Sequence, residues 1–237
     1  AVLGGGQLNF ALGATHTGLV GGQSNQICAG ANFSFIGAGQ TNVVCDNHSS
    51  IVGGQNNFIS NTSPYSIVSG GCNNRLNGDS SFVGGGRVNI SFGSYSSIVG
   101  GLNNLVDNPS TFNIIGGGRN HIICANSDLN VIVGGSNNTV SGYATSVLGG
   151  NSNQAWCGGS VVGGGTANHV CGHNSGVFSG GNNRAYGLQS AIVGGVNNCT
   201  FGDKTFVGGG RDNCAVGNVS TVAGGCSNKL NTGSDYS

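Results

Sequence analysis

The chain has 237 residues, of which 49 are Gly and 6% are charged, with seven basic side chains balancing seven acidic ones. A typical domain carries about 7% Gly and about 25% charge, so this composition excludes an ordinary globular enzyme. Without clustered Lys and Arg it also excludes a nucleic-acid or anionic-membrane binder. Apolar residues still make up 37% and sit at fixed intervals, which argues against disorder. No apolar run approaches the roughly 20 residues that cross a bilayer. No signal peptide is visible, and Ala1 reads as a mature N-terminus.

From the first residues onward one unit repeats, anchored on a single Asn: Asn9, Asn25, Asn42, Asn57, Asn74, Asn89, Asn104, Asn120, Asn138, Asn153, Asn168, Asn183, Asn198, Asn213 and Asn228. From Asn138 every step is 15 residues, and earlier steps run from 15 to 18. The longest, Asn120 to Asn138, contains the segment 124–130, read as a bulged loop. Three residues before each Asn stands Gly, and six before it Leu, Ile or Val. Two residues after it the side chain is apolar except at Ser91 and Thr200, and Gly is commonest four after. Ser often precedes the apolar pair, as at Ser34, Ser50, Ser66, Ser81 and Ser97.

Two short β-prone stretches per unit, separated by Gly and Asn, read as strand–turn–strand–turn. Gly and Asn at this density exclude helix. A unit of about 15 residues buries no core alone, but stacked copies do, each strand bonding its equivalents about 4.8 Å above and below. The expected fold is all-β: a parallel β-solenoid, or β-roll, of about 15 coils with two short strands each, forming one repeat domain over residues 1–237 and a rod of roughly 70 Å. The Asn column has two open roles, a buried amide ladder or αL turn positions.

The nine Cys residues include no CxxC pair and fit an oxidising, extracellular setting. Cys28 and Cys45 occupy one column in consecutive units, as do Cys199 and Cys214, so coil spacing brings both pairs within disulfide reach. Cys157 and Cys171 are a third candidate, one position out of register. Cys72, Cys124 and Cys226 have no column neighbour and are either buried small hydrophobes or intermolecular links. Asn-x-Ser/Thr sequons at Asn32, Asn47, Asn61, Asn89, Asn137, Asn198 and Asn218 add little in so Asn-rich a chain.

Strand alternation would set His169, Cys171 and His173 on one face. No fourth ligand accompanies them, so a solvent-facing column is the better reading than a metal site. Gly-Gly-Gly-Arg at 84–87, 116–119 and 208–211 lacks the Gly-Lys-Ser/Thr of a phosphate loop. No catalytic constellation and no cofactor motif emerges. There is no Glu, and no Asp pair falls in equivalent columns of adjacent units, as glycan cleavage would need.

The units Ser-Ser-Ile-Val-Gly-Gly-Gln-Asn-Asn (49–57) and Ser-Ser-Ile-Val-Gly-Gly-Leu-Asn-Asn (96–104) resemble the head repeats of YadA-type trimeric autotransporter adhesins, and similar repeats in phage tail fibres. The resemblance implies a left-handed parallel β-roll, often a homotrimer, displayed at a cell or virion surface for adhesion to a surface glycan or matrix ligand. This chain departs from the family in its nine Cys, in Val-Gly or Gly-Gly where Ala is usual, and in having neither coiled-coil stalk nor anchoring barrel.

Full repeats run almost to both termini, without the polar caps that protect solenoid edges. Either the chain is cut from a longer protein, or its ends stack on further subunits. The leading expectation is therefore a secreted, non-enzymatic structural subunit that self-associates end to end into a fibre. The alternatives are an adhesin or tail-fibre head and an ice-binding solenoid. Ice binding needs a regular exposed array, usually of Thr, and the column Phe10, Gln26, Val43, Phe58, Arg75, Ile90 is irregular.

Overall fold

A computed structural model describes residues 1–233. It is all-β: thirty two-residue strands form a parallel solenoid of fifteen coils with two strands per coil. The chain divides into two compact units, residues 1–120 and 121–237.

In the first unit, one sheet collects the first strand of each coil, including Phe35–Ile36, Ser50–Ile51 and Ile67–Val68, in parallel register with Ile36 opposite Ile51 and Ile51 opposite Val68. The second sheet collects the second strands, such as Val43–Val44 and Phe58–Ile59. The second residue of nearly every strand points inward. Leu19, Ile36, Ile51, Val68, Val83, Ile98 and Ile115 therefore face Ile27, Val44, Ile59, Leu76 and Val106 in a core one side chain wide on each sheet, all at 0–1% exposure. The second unit repeats the plan with Ile132, Val147, Val162, Val177, Ile192 and Val207 against Ile123, Val140, Ala155, Val170, Ala185 and Ala215. The two non-apolar members of the column, Ser91 and Thr200, are fully buried there too. Each satisfies its hydroxyl locally: Ser91 donates to the Gly93 carbonyl at 3.2 Å, and Thr200 bonds the Ser190 hydroxyl at 2.9 Å.

Two buried polar columns mark the corners. One is the Asn column. The other, at the opposite turn, is Thr17, Ser34, Ser49, Ser66, Ser81, Ser96, Asn113, Asn130, Thr145, Ser160, Ser175, Ser190, Thr205 and Ser220. Of the five Ser residues read from sequence as one column, only Ser34, Ser66 and Ser81 belong to it. Ser50 and Ser97 are strand residues, and their neighbours Ser49 and Ser96 take the buried place.

The Asn column itself needs one correction. In the eighth coil the buried corner residue is His121, at 0% exposure, and Asn120 precedes it with φ +56°. That is the αL position held elsewhere by Asn56, Asn73 and Asn103. The register moves with it: Ile115 and Ile123 face inward, while Ile114 and Ile122 face out. The supposed 18-residue step then becomes 17, and 124–130 is no singular bulge. From the Ser column to the next Asn column the distance is always eight residues, as in Ser34–Asn42, Asn113–His121 and Ser220–Asn228. All variation in coil length falls in the other arm, for example seven residues in Asn42–Ser49 and nine in Asn25–Ser34 or His121–Asn130. One turn is thus rigidly specified and the other tolerates insertion.

Candidate functional site

The Asn column is a hydrogen-bonding ladder. Asn57 is representative. Its Nδ2 donates to the carbonyl of Gly53 four residues earlier (3.1 Å) and of Gly71 in the next coil (3.0 Å), while its Oδ1 accepts the Asn74 amide N–H (3.0 Å). Asn89, Asn153, Asn168, Asn183, Asn198 and Asn213 repeat the pattern. Direct amide-to-amide bonds at 3.1–3.2 Å add to it at Asn57, Asn198, Asn213 and Asn228. The αL duty falls on the residue before, so the two roles weighed for the column are held by adjacent positions. The Ser column does related work: Ser34 Oγ donates to the Asp46 carbonyl in the next coil and accepts the Ser49 N–H. Two of the sequons, Asn89 and Asn198, are ladder members at 0% exposure.

His121 completes the ladder with an imidazole. Its Nδ1 accepts the Asn138 N–H at 3.2 Å, which requires that nitrogen unprotonated. Burial pushes its pKa below the ordinary value, against smaller raising effects of the Gly135 and Asn138 backbone. Above the unfolded-state value near 6.5 both states are neutral. As pH falls through 6.5 the unfolded chain takes up the proton first, so stability falls from there down to the lowered folded value. His169 shifts in the same direction, through burial first and then Arg184. The expected result is a lower urea midpoint at pH 5 than at pH 8. In His121→Asn that drop shrinks, and the unfolding free energy at pH 8 rises by about 1 kcal/mol, as the standard amide rungs are restored.

Cys28–Cys45 and Cys199–Cys214 are disulfides across adjacent coils, each with Cα atoms 4.7 Å apart. Cys199 and Cys214 are direct strand partners. Cys157 and Cys171 are not bonded: their sulfurs lie 3.5 Å apart as thiols, because Cys157 sits one position further along its coil. Desolvation, then the Cys171 hydrogen bond, raises the Cys157 pKa to about 11. Cys72 and Cys124 are half-buried, and exposed Cys226 lies 3.6 Å from Arg211 Nη2.

The His169–Cys171–His173 run does not share one face. The strand ends at Val170, and His173 lies in the following turn near Gln189 and Asp203. Among the described residues, no group of three His, Cys, Asp or Glu stands close enough to hold a metal.

Sequence reading missed two surface features. In the first unit the αL residues of the insertion-tolerant turn form a ladder of rings: His16, Phe33, His48 and Tyr65 stack at 4.7, 5.0 and 4.8 Å, and Tyr95 on Phe112 at 5.0 Å. Phe33 and Tyr65 are more than half exposed. The second feature is the outer face of the first sheet, which carries only Gly, Ala, Ser, Thr and large apolar residues.

No protein-family model matches the chain, and no curated protein matches it. No described helix is long and apolar enough to cross a membrane.

Proposed function

We propose that this protein is a non-enzymatic structural subunit, exported to an extracellular or cell- or virion-surface setting, that stacks copy on copy into a fibre. The observation that carries this reading is the pair of buried ladders. Nearly every coil offers the next a strand edge, an Asn amide (His121 in the eighth coil) and, in most coils, a Ser or Thr hydroxyl, so a coil from another copy would meet much of the bonding that an internal coil meets. Such a head-to-tail contact does not close on itself and propagates into filaments. Cystines between adjacent coils fit an oxidising location.

Electron microscopy of the purified chain in oxidising buffer is the test. Filaments that lengthen with protein concentration are expected; discrete particles of one size at every concentration would contradict the proposal. A second reading, the trimeric head of an adhesin or tail fibre binding a surface glycan or matrix ligand, is favoured by the exposed ring ladder around His48 and Tyr65. A stable three-chain species that does not polymerise would select it.

A further inference from the structure

The two sheets differ on their outer faces. The second sheet presents Arg75 and Asp107 in the first unit, and His169, Arg184 and Lys229 in the second. The first sheet presents no charge and no amide side chain. In most coils its two outward positions are shared between one large residue and one small one, with Val131 and Val133 both large and Thr221 and Ala223 both small. Phe35 is followed by Gly37, Ser50 by Val52, Phe82 by Gly84 and Ser97 by Val99. The aromatic rings lie over neighbouring glycines: a Cβ on Gly18 would meet the Phe35 ring at 3.1 Å, and one on Gly84 the Phe82 ring at 3.2 Å. Rings laid across glycines fill part of what would be grooves and leave an apolar strip.

The strip is large for an unpartnered surface. Val2, Val20, Val52 and Val99 are 53–69% exposed, and Phe35, Ile67 and Ile114 39–46%. Together they leave about 600 Å² of apolar surface in water on the first unit, the top of the usual range for a monomer's largest patch. It approaches the roughly 800 Å² per partner of a stable interface. Val133, Leu148, Phe178 and Val193 repeat the pattern on the second unit.

We infer that the outer face of the first sheet is a lateral docking surface for a second copy of this chain, sheet against sheet. The surface is uncharged and largely apolar, so its partner must be apolar too. The only polar side chains on this face are scattered Ser and Thr hydroxyls, with no charge to hold a lipid headgroup. Burial of about 600 Å² at roughly 25 cal/mol/Å² is a driving force of many kcal/mol before association costs. The chain itself supplies a matching face, and a two-fold pairing makes one patch self-complementary. This inference is independent of copy-on-copy stacking, which uses strand edges.

The test is sedimentation velocity, at up to about 100 μM, where even micromolar partners are saturated. The wild type is compared with Val52→Asp/Val99→Asp, the milder Val52→Thr/Val99→Thr, and Gln154→Glu on the second sheet. Thermal melts establish that each variant is folded. Wild type and Gln154→Glu are expected to sediment as even multiples of the 23.3 kDa chain. The Asp pair should halve that mass, and the Thr pair should raise the dissociation constant at least tenfold. Several outcomes overturn the inference: a single-chain wild type, a three-chain species, unchanged mass in the folded Asp pair, or a single chain that instead floats with neutral vesicles. Filaments from the Asp pair that are half the width of wild type support both proposals. Paired chains without filaments sink only the stacking.

Discussion

Gly54→Ala is expected to unfold its region of the solenoid, whereas Gly53→Ala, one residue earlier, is expected to change stability by no more than about 0.5 kcal/mol. Gly54 has φ +89°, and a Cβ there would fall inside the Gly71 carbonyl oxygen and 2.7 Å from Asn57 Nδ2. Both neighbours belong to the ladder, so neither yields without breaking it. A left-handed φ adds about 1 kcal/mol for a non-Gly residue, and displaced backbone adds the lost coil-to-coil bonds, for about 4 kcal/mol or more in all. At Gly53 the nearest atom to a new Cβ is the Ala38 carbonyl oxygen at 3.9 Å. Other coils already place Ala38 and Ser179 at the equivalent position. Urea midpoints of the two variants check the contrast. Equal midpoints would mean that the coils are not stacked as closely as described.

Asn57→Ala is the second large effect. The side chain is fully buried, and its loss removes the sole described partner of both the Gly53 carbonyl and the Asn74 N–H. The Gly71 carbonyl keeps the Gln55 N–H. Leaving the buried Asn74 N–H unsatisfied costs roughly 1–3 kcal/mol and the part-buried Gly53 carbonyl less, so a loss of about 2–4 kcal/mol is expected, a large part of a typical domain's stability. Hydrogen exchange at the Asn74 amide should accelerate by at least tenfold. Asn56→Ala is the control. Its side chain is exposed, and the same αL place is held by Thr41, Val88, Ser152 and Ala167 in other coils, so its cost should stay near or below 1 kcal/mol.

These contrasts also explain which features were legible in the sequence. The period was, because a one-residue slip would turn the inward apolar column outward and each coil repeats the same Gly before the same Asn. The eighth coil misled because Asn suits both the ladder and the αL place beside it. In Arg119-Asn120-His121 only the second place holds Asn, and an Asn-anchored reading locks onto it. The constant eight-residue arm from Asn113 would have pointed to His121, but the arm is visible only once the Ser column is known. That column was obscured by tandem pairs such as Ser49-Ser50 and Ser96-Ser97, where either residue satisfies the pattern and only one faces in. The disulfide pairs were reachable from spacing, since coil stacking sets matching Cα atoms 4.7 Å apart. The outward apolar face was not, because an apolar pair such as Phe35–Ile36 reads as doubly buried until the pleat assigns Phe35 to the outside.

The proposed function rests on one central claim, that the bonding which joins coil to coil also joins copy to copy. X-ray diffraction from an oriented, concentrated sample tests it most directly. A reflection near 4.8 Å along the fibre axis is expected, since the parallel ladders would run the length of the filament. A 4.8 Å reflection perpendicular to the axis, or none, would contradict it.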